Sequence, residues 1–425
     1  MTTPIGLRRA VTRWQIVGMS LNGVIGSGVY LLPAAAAALL GPASLWAVPL
    51  AGFAVLMLAL CFAEAGSHFD EPGAAYVYTR EAFGEFAGFQ VGWMTWLTRI
   101  ASGAALWNGF AQALTYLWPA AASGLAHFAA ITVPLFAITA INILGVQHSA
   151  RLSVALAIAK ILPLLLLIAV GIPAISGSLL LPMAVPDAAG LGQAALLLLF
   201  AYSGFENTAA TAGEFRNPRR DVPFALVSVI IIVTILYTLI QLVAVGTLPD
   251  LAARVAGTPL ADSATLIIGV WAGVILTLGG TISTAGNAAS TAVVGPRYLY
   301  ALARDRFGPD VLARVHPRYQ TPAWAIVTQD ALVWMLALSG SFVQLAMLSV
   351  IARLATYIGT AAAVPVLRKK FASTEHTFLL PGGPAIPLLA LMLSLAFLAS
   401  ATVHNLIVGL VALLIGVAIY LLRRK

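Results

Sequence analysis

Apolar residues dominate this chain in long runs that recur from the N-terminal region to the C-terminal end. Most of the runs reach the roughly 20 residues that an α-helix needs to cross the hydrocarbon core of a bilayer. The segments between them are short and leave almost no room for a domain outside the membrane. The pattern predicts about twelve transmembrane helices, at 16–40, 45–66, 84–115, 124–146, 152–175, 189–213, 223–248, 263–294, 323–340, 342–367, 382–400 and 402–422.

The first apolar run contains residues that interrupt helices, since Gly23, Gly26 and Gly28 lie close together and Pro33 follows them. A broken helix in hydrocarbon leaves N–H and C=O groups unpaired, at a cost of several kcal/mol for each group. Two half-helices would offer N–H groups to an anion and C=O groups to a cation, and a free amino acid carries both charges. The alternative interpretation is that these glycines only permit close helix packing.

The run at 189–213 contains a second interruption, where Ser203 and Gly204 precede the carboxylate of Glu206. The two interrupted spans are five spans apart and opposite in direction. This arrangement is typical of inverted repeats with a binding site between them. We therefore predict one transmembrane domain over residues 1–425, with repeat halves at about 14–175 and 189–367 and two additional helices at 382–422.

Composition and charge support a membrane protein. The chain is 60% hydrophobic and 9% charged with a mean hydropathy of +0.96, which excludes a soluble globular domain. If the N-terminus is cytoplasmic, most of the 23 lysines and arginines fall in inner segments, and only Arg254 lies in an outer loop. The net charge of +8 then reflects the positive-inside rule rather than nucleic-acid binding. We expect both termini in the cytoplasm, and the lone Cys61 cannot form an intramolecular disulfide.

Charged residues inside the predicted spans are functional candidates, because a charge in hydrocarbon should face the bundle interior and find a partner. Arg99 lies roughly 20 Å into its helix, and Glu206 could pair with it or titrate as a proton site. Lys160 has no acidic residue near it in sequence. Burial favours its neutral amine, which would make it a proton carrier; alternatively, the ammonium stays charged and occupies the place of a metal cation.

Four stretches resemble the amino acid–polyamine–organocation superfamily of transporters, in the order and topology of that superfamily and over nearly the whole chain. They are 25–30 (IGSGVY), 72–78 (PGAAYVY) with 83–84 (FG), 204–206 (GFE) with 214–223 (EFRNPRRDVP), and 297–305 (RYLYALARD) with 321–322 (TP). The resemblance implies an all-α bundle with a five-plus-five inverted repeat and two further helices, the fold of sodium-coupled leucine transporters.

The resemblance also implies a substrate site at the two interruptions. Backbone N–H groups around Ser27 and Gly28 would hold a carboxylate, and carbonyls of Val24, Phe200 and Ser203 would hold an amino group. Phe200 would act as an aromatic gate, while Thr98 and Arg99 would line the side-chain pocket. The implied substrate-binding residues are Val24, Ile25, Gly26, Ser27, Gly28, Thr98, Arg99, Phe200, Ser203 and Gly204.

The implied coupling residues are Lys160, Glu206, Ser283 and Thr284. Lys160 resembles a lysine that fills a sodium site in sodium-independent members, beside Ser283 and Thr284, and Glu206 falls at the position of a proton sensor. We expect no cofactor and no metal. The expected partners are an amino acid, the lipid bilayer and, as a candidate coupling ion, the proton, without nucleic acid; the oligomeric state is left open.

Arg99 departs from the family pattern, which usually has a small or apolar residue there. A pair with Glu206 would leave a neutral pocket, which we prefer, whereas an unpaired Arg99 would select an acidic side chain. The predicted function is a secondary active, sodium-independent amino acid permease of the cell membrane that works by alternating access. We expect neutral amino acids, with coupling to protons or exchange.

Several alternatives remain open. The substrate could be an acidic amino acid or a polyamine, or the protein could sense amino acids without transporting them. An enzyme is not indicated, because the six histidines are scattered without the spacing of a metal site. A channel is not indicated either, because the chain shows no repeated filter loop.

Overall fold

The computed structural model describes residues 12–69, 74–144, 150–181, 183, 185–210, 217–371 and 377–422. The helices are α1 (Arg13–Val24), α2 (Ser27–Leu40), α3 (Ser44–Ser67), α4 (Ala74–Phe83), α5 (Glu85–Leu114), α6 (Gly124–Leu144), α7 (Ala150–Gly171), α8 (Ala188–Tyr202), α9 (Glu206–Ala210), α10 (Pro218–Thr247), α11 (Pro259–Ile268), α12 (Val270–Arg304), α13 (Ala323–Ala337), α14 (Phe342–Lys370), α15 (Ala385–Ala399) and α16 (Val403–Leu422). Within these ranges the chain forms no strand.

The predicted all-α membrane class is confirmed. Helix occupies the described part of every predicted apolar run, and seven helical stretches of the described chain are long and apolar enough to cross a membrane. The count of twelve spans and the inverted repeat stay predictions. The seven stretches are Ser27–Ser67, Gly124–Leu144, Ala157–Ala174, Ala188–Thr208, Arg220–Thr247, Phe342–Lys370 and Val403–Leu422.

Both predicted helix interruptions are present. The first separates α1 from α2 at Ile25 and Gly26, and the second separates α8 from α9 over 203–205. The two breaks face each other, with α2 against α8 and α1 against α9. A Cβ added to Gly28 would lie 2.6 Å from the Cα of Ala201, so only glycine permits this approach. The breaks therefore bring four helix ends to one place inside the bundle.

Three further helices surround the breaks. α5 packs against both α12 and α14, and α7 packs against α1 and α12. These contacts carry Arg99 on α5, Lys160 on α7 and Arg353 on α14 into the interior, where each side chain is almost fully buried. The short helix α4 packs across one end of α5 and α14.

Parts of the superfamily-like stretches also meet in space. Tyr76 of α4 donates a hydrogen bond to the carboxylate of Asp305 at 3.2 Å, which joins the second stretch to the fourth. Residues 72–73 and 214–216 of these stretches lie outside the described residues.

The arginine predicted in an outer loop is balanced by acids. Arg254 donates to Asp250 at 2.8 Å and to Asp262 at 2.8 Å. The hydrogen bonds from Arg254 lower the pKa of the Asp250 carboxyl from its ordinary value, since they favour its charged form. Arg254, the one basic residue predicted in an outer loop, is therefore neutralised by two neighbouring aspartates.

A Gly204→Ala substitution is expected to destabilise the protein. Gly204 has a φ of +114°, and an added Cβ would collide with the carbonyl oxygen of Gly23. The strained backbone alone costs about 1–3 kcal/mol. The measurement is thermal unfolding in detergent, with Gly177→Ala as a control because a Cβ there meets nothing within 4 Å. Equal melting temperatures for the two variants would contradict the geometry.

Candidate functional site

A small cavity lies where the two breaks face each other, and we call it the central cavity. Its volume is about 40 Å³. One water molecule needs about 10–15 Å³ on the same measure, so the cavity has room for only a few waters. Eight of the ten implied substrate-binding residues line it: Val24, Gly26, Ser27, Gly28, Arg99, Phe200, Ser203 and Gly204. The other lining residues are Gly23, Ser102, Leu106, Ala201, Asn207, Asn287, Ser290, Thr291 and Arg353.

The N-terminus of α2 faces the central cavity. The first N–H groups of a helix lack an acceptor within that helix, and Gly26 at the N-cap provides no side-chain acceptor. The Ser27 hydroxyl is fully buried and has no hydrogen-bond partner among the described residues. Free N–H groups and the positive helix end favour an anionic ligand beside Ser27 and Gly28.

Lys160 lies behind the first break, against the C-terminal end of α1. Its ammonium donates to the carbonyl oxygens of Asn22 at 3.1 Å and Ile25 at 3.3 Å, and to the side-chain oxygen of Asn287 at 3.4 Å. Ser283 donates to the same Ile25 carbonyl at 3.1 Å. The lysine thus donates to a ring of three oxygens, one of which also accepts from Ser283. The Ile25 carbonyl faces this ring, and Ile25 does not line the central cavity.

Thr284 does not take part in this ring. Its hydroxyl donates to the Gly280 carbonyl of its own helix at 2.7 Å. Asn287, one turn further along α12, bridges the ring and the break by donating to the Gly23 carbonyl at 3.3 Å. Ser283 and Asn287 are therefore the residues through which α12 contacts the first break and Lys160.

Two of the three carbonyls expected to hold an amino group, those of Phe200 and Val24, already accept hydrogen bonds. The Phe200 carbonyl accepts from the backbone N–H of Ser203 at 3.1 Å and from its hydroxyl at 2.7 Å. The Val24 carbonyl accepts from the Tyr237 hydroxyl at 3.5 Å. The Phe200 ring borders the central cavity and packs edge-on against Phe342, with 5.7 Å between centroids.

Three charged side chains meet beside the central cavity, and we call Arg99, Glu206 and Arg353 the charged cluster. The expected contact of Arg99 with Glu206 is present at 3.6 Å, and Arg353 makes a closer ion pair with the same carboxylate oxygen. Arg99 also donates to the Asn207 side chain at 2.9 Å, and Arg353 donates to Ser102 at 2.9 Å. The carboxylate of Glu206 therefore forms ion pairs with two arginines.

The charged cluster separates the central cavity from a second, smaller one. The second cavity has a volume of about 10 Å³ and extends to Ala75 and Tyr76 of α4. Thr98 lines this second cavity rather than the central one, and its hydroxyl donates to the Met94 carbonyl at 2.8 Å. Arg99 and Arg353 line both cavities, whereas Glu206 lines only the second.

Sequence reasoning missed two residues that the structure places at the site. Arg353 could have been found by the argument used for Arg99, because it too is an arginine inside an apolar span. The second is Asn287, which the sequence alone places only on the same helical face as Thr284. The sequence gives no sign that it contacts Lys160, since that contact joins α7 to α12.

Residues 11–421 match a family model described as amino acid permease. Among its relatives, the chain is 29% identical to the branched-chain amino acid permease BcaP of Bacillus subtilis, covering 98% of this chain and 93% of that protein. It is 28% identical to the serine/threonine exchanger SteT of the same organism, covering 97% and 95%. It is also 26% identical to a methylthioribose transporter of Bacillus subtilis, covering 98% and 93%.

Proposed function

This chain belongs to the amino acid permease family of the amino acid–polyamine–organocation superfamily, and we propose that it moves amino acids across the cell membrane by alternating access. It is an integral membrane protein and a transporter, not an enzyme. The observation that carries the proposal is the pair of broken helices that face one cavity. Helix ends at mid-bundle offer donors and acceptors for the two charged groups of an amino acid.

The geometry supports a carboxylate site at α2. In the proposed complex, the N–H groups of Ser27 and Gly28 bind the substrate carboxylate, and carbonyls at the two breaks bind the ammonium. Phe200 borders the central cavity as the aromatic gate. Since that cavity is only about 40 Å³, the bundle has to open before even a small amino acid enters.

Lys160 supports sodium independence. An ammonium that donates to three oxygens at the first break supplies the positive charge that a sodium ion would bring. We propose that transport needs no sodium and is driven by protons or by exchange. Uptake that required sodium would contradict this role of Lys160.

Neutral amino acids are the first substrate class to test, because the named relatives include proteins for branched-chain amino acids and for serine and threonine. The proposed architecture has inverted repeat halves at about 14–175 and 189–367, with both termini in the cytoplasm. Rocking of one half against the other would expose the central cavity to each side in turn.

The test is uptake of radiolabelled amino acids into proteoliposomes, measured with and without a proton gradient, with sodium replaced by choline. Exchange is measured with unlabelled amino acid inside the vesicles. Binding without flux under every condition would show a sensor rather than a permease. The absence of both binding and flux for all amino acids would overturn the proposal.

A Ser27→Leu substitution is expected to abolish substrate binding. Ser27 is fully buried and borders the central cavity, so a leucine would fill the space beside the carboxylate site. Ser27→Ala is the matched control and should keep an affinity within about threefold, because backbone N–H groups rather than the hydroxyl hold the carboxylate. The measurement is ligand-induced thermal stabilisation. Wild-type affinity in Ser27→Leu would place the substrate elsewhere.

A further inference from the structure

The charged cluster carries more positive than negative charge. The guanidinium groups of Arg99 and Arg353 stay protonated, so the single carboxylate of Glu206 balances only one of them. Arg99 and Arg353 are 4% and 3% exposed, respectively. An uncompensated charge at such a position is costly, and in membrane proteins it marks a functional pathway.

The other buried acids of the described chain have partners elsewhere. Asp330 accepts from Thr139 at 2.7 Å. Glu64 accepts from Arg368 at 2.6 Å and from the backbone N–H of Leu380 at 2.9 Å, while Asp221 lies 3.7 Å from Arg13. None of them compensates the second arginine, and Lys160 can only add positive charge.

The remaining groups around the cluster are neutral. Ser102 accepts from Arg353 and shares a 2.5 Å hydrogen bond with Ser349, and the Tyr298 ring lies 5.9 Å from the Arg99 guanidinium. The Nε atoms of both arginines are buried and have no hydrogen-bond partner among the described residues. Hydrogen-bonding capacity is therefore left on both cations.

The two arginines border the central cavity, but their counter-charge does not. Both arginines line that cavity, whereas Glu206 lies on the other side of the cluster and lines only the second cavity. A ligand in the central cavity thus meets two guanidinium groups without meeting their counter-charge. Side chains of this kind bind carboxylates and other small anions.

We propose that Arg99 and Arg353 form an anion subsite in the central cavity, occupied by a second negative group when substrate binds. The proposal rests on the proposed function, which places the α-carboxylate at α2. A neutral zwitterionic amino acid adds no net charge, so it cannot balance the cluster alone. The anion is either the side-chain carboxylate of an acidic amino acid or an inorganic ion bound beside a neutral one. The expectation of a neutral pocket assumed a one-to-one pair of Arg99 with Glu206.

The experiment is ligand-induced thermal stabilisation of the purified protein in two buffers, one with chloride and one with gluconate, an anion larger than any of the amino acids probed. The probes are chloride alone, glutamate against glutamine, aspartate against asparagine, and serine and leucine. A preference of at least about tenfold for the acids over their amides identifies the substrate side chain as the anion. A gain of at least about tenfold in serine or leucine affinity with chloride identifies an inorganic ion.

Arg99→Gln and Arg353→Gln each leave one arginine against Glu206, so each variant retains a balanced pair. In both, the acid preference or the chloride effect should fall to less than about twofold. Arg254→Gln is the control and should keep the full effect, because Arg254 is bound to Asp250 and Asp262 outside the cavity.

Equal binding of acids and amides, with no effect of chloride on serine, leucine or the protein alone, would overturn the anion subsite even if amino acids bind. If no amino acid binds at all, the proposed function fails. The anion subsite is then tested with chloride as the only ligand. Thermal stabilisation of the protein by chloride that is lost in Arg353→Gln supports the subsite, and the absence of any stabilisation by chloride overturns it.

Discussion

Replacing Glu206 by glutamine is expected to lower the free energy of unfolding by about 3–5 kcal/mol, the cost of leaving a buried charge without its partner. The substitution removes the only negative charge of the charged cluster and leaves two buried guanidinium groups close together. Glutamine keeps a carbonyl oxygen that can accept the Gly204 N–H, which Glu206 accepts at 3.0 Å. Glutamine cannot accept from Arg353 as well, so the loss reports the missing charge together with the hydrogen bond from Arg353.

The measurement is the melting temperature in detergent, compared with two further variants. Glu81→Gln is the control, because Glu81 pairs with Arg80 at a partly exposed site and such pairs contribute about 0–1 kcal/mol. Adding Arg353→Gln to Glu206→Gln should recover part of the stability, since the double variant has one uncompensated arginine instead of two. A melting temperature unchanged in Glu206→Gln would contradict the charge balance described for the cluster.

Replacing Lys160 by methionine is expected to reduce amino acid uptake at least about tenfold, with a lower melting temperature. The methionine retains most of the buried stem but cannot donate to the oxygens of Asn22, Ile25 and Asn287. Each acceptor left unsatisfied costs about 1–3 kcal/mol. The Ile25 carbonyl keeps Ser283 as a donor, so the loss falls on the Asn22 carbonyl beside the break and on the Asn287 side chain that contacts the break.

Uptake into proteoliposomes is measured as a function of pH, with Lys369→Met as the control because that lysine is exposed at the end of α14. Uptake that becomes independent of pH in Lys160→Met would assign proton coupling to Lys160. Unchanged uptake with an unchanged pH dependence would leave the lysine a purely structural role and remove the argument for sodium independence.

The helix interruptions could be predicted because their causes are local. Glycine and proline act on the backbone where they occur, so the sequence around Gly26 and Gly204 is enough to expect a break. The consequence that half-helix ends meet at a site follows from the polar groups that a break leaves unpaired. Both interruptions are present in the structure.

The membership of the charged cluster could be predicted only in part. Depth in the membrane singled out Arg99 and Glu206, and depth alone would have singled out Arg353 as well. Which of these side chains touch depends on how α5, α9 and α14 are rotated about their axes, and that is set by packing among distant segments. The neutral pocket was inferred from one arginine, and the third charge changes that inference.

The length of the side chain explains which residues of α12 reach the site. Thr284 and Asn287 share one face of the helix, yet a threonine side chain is short and bonds back to its own turn. The longer Asn287 side chain reaches across to Lys160 and Gly23. Sequence spacing identifies the face, but the reach of each side chain decides which residue makes the contact.

The close approach of the two breaks has a mechanical consequence. Gly28 lies against the Cα and the short Cβ of Ala201, and Gly204 lies against the backbone of Gly23, so no side chain with a rotatable bond separates the helices at either contact. Side chains can change rotamer to let helices slide past each other, but backbone cannot. We therefore expect these two contacts to act as a pivot. When the cavity opens, the broken helices tilt about the pivot, so their backbone moves little near the substrate and more towards the two membrane surfaces.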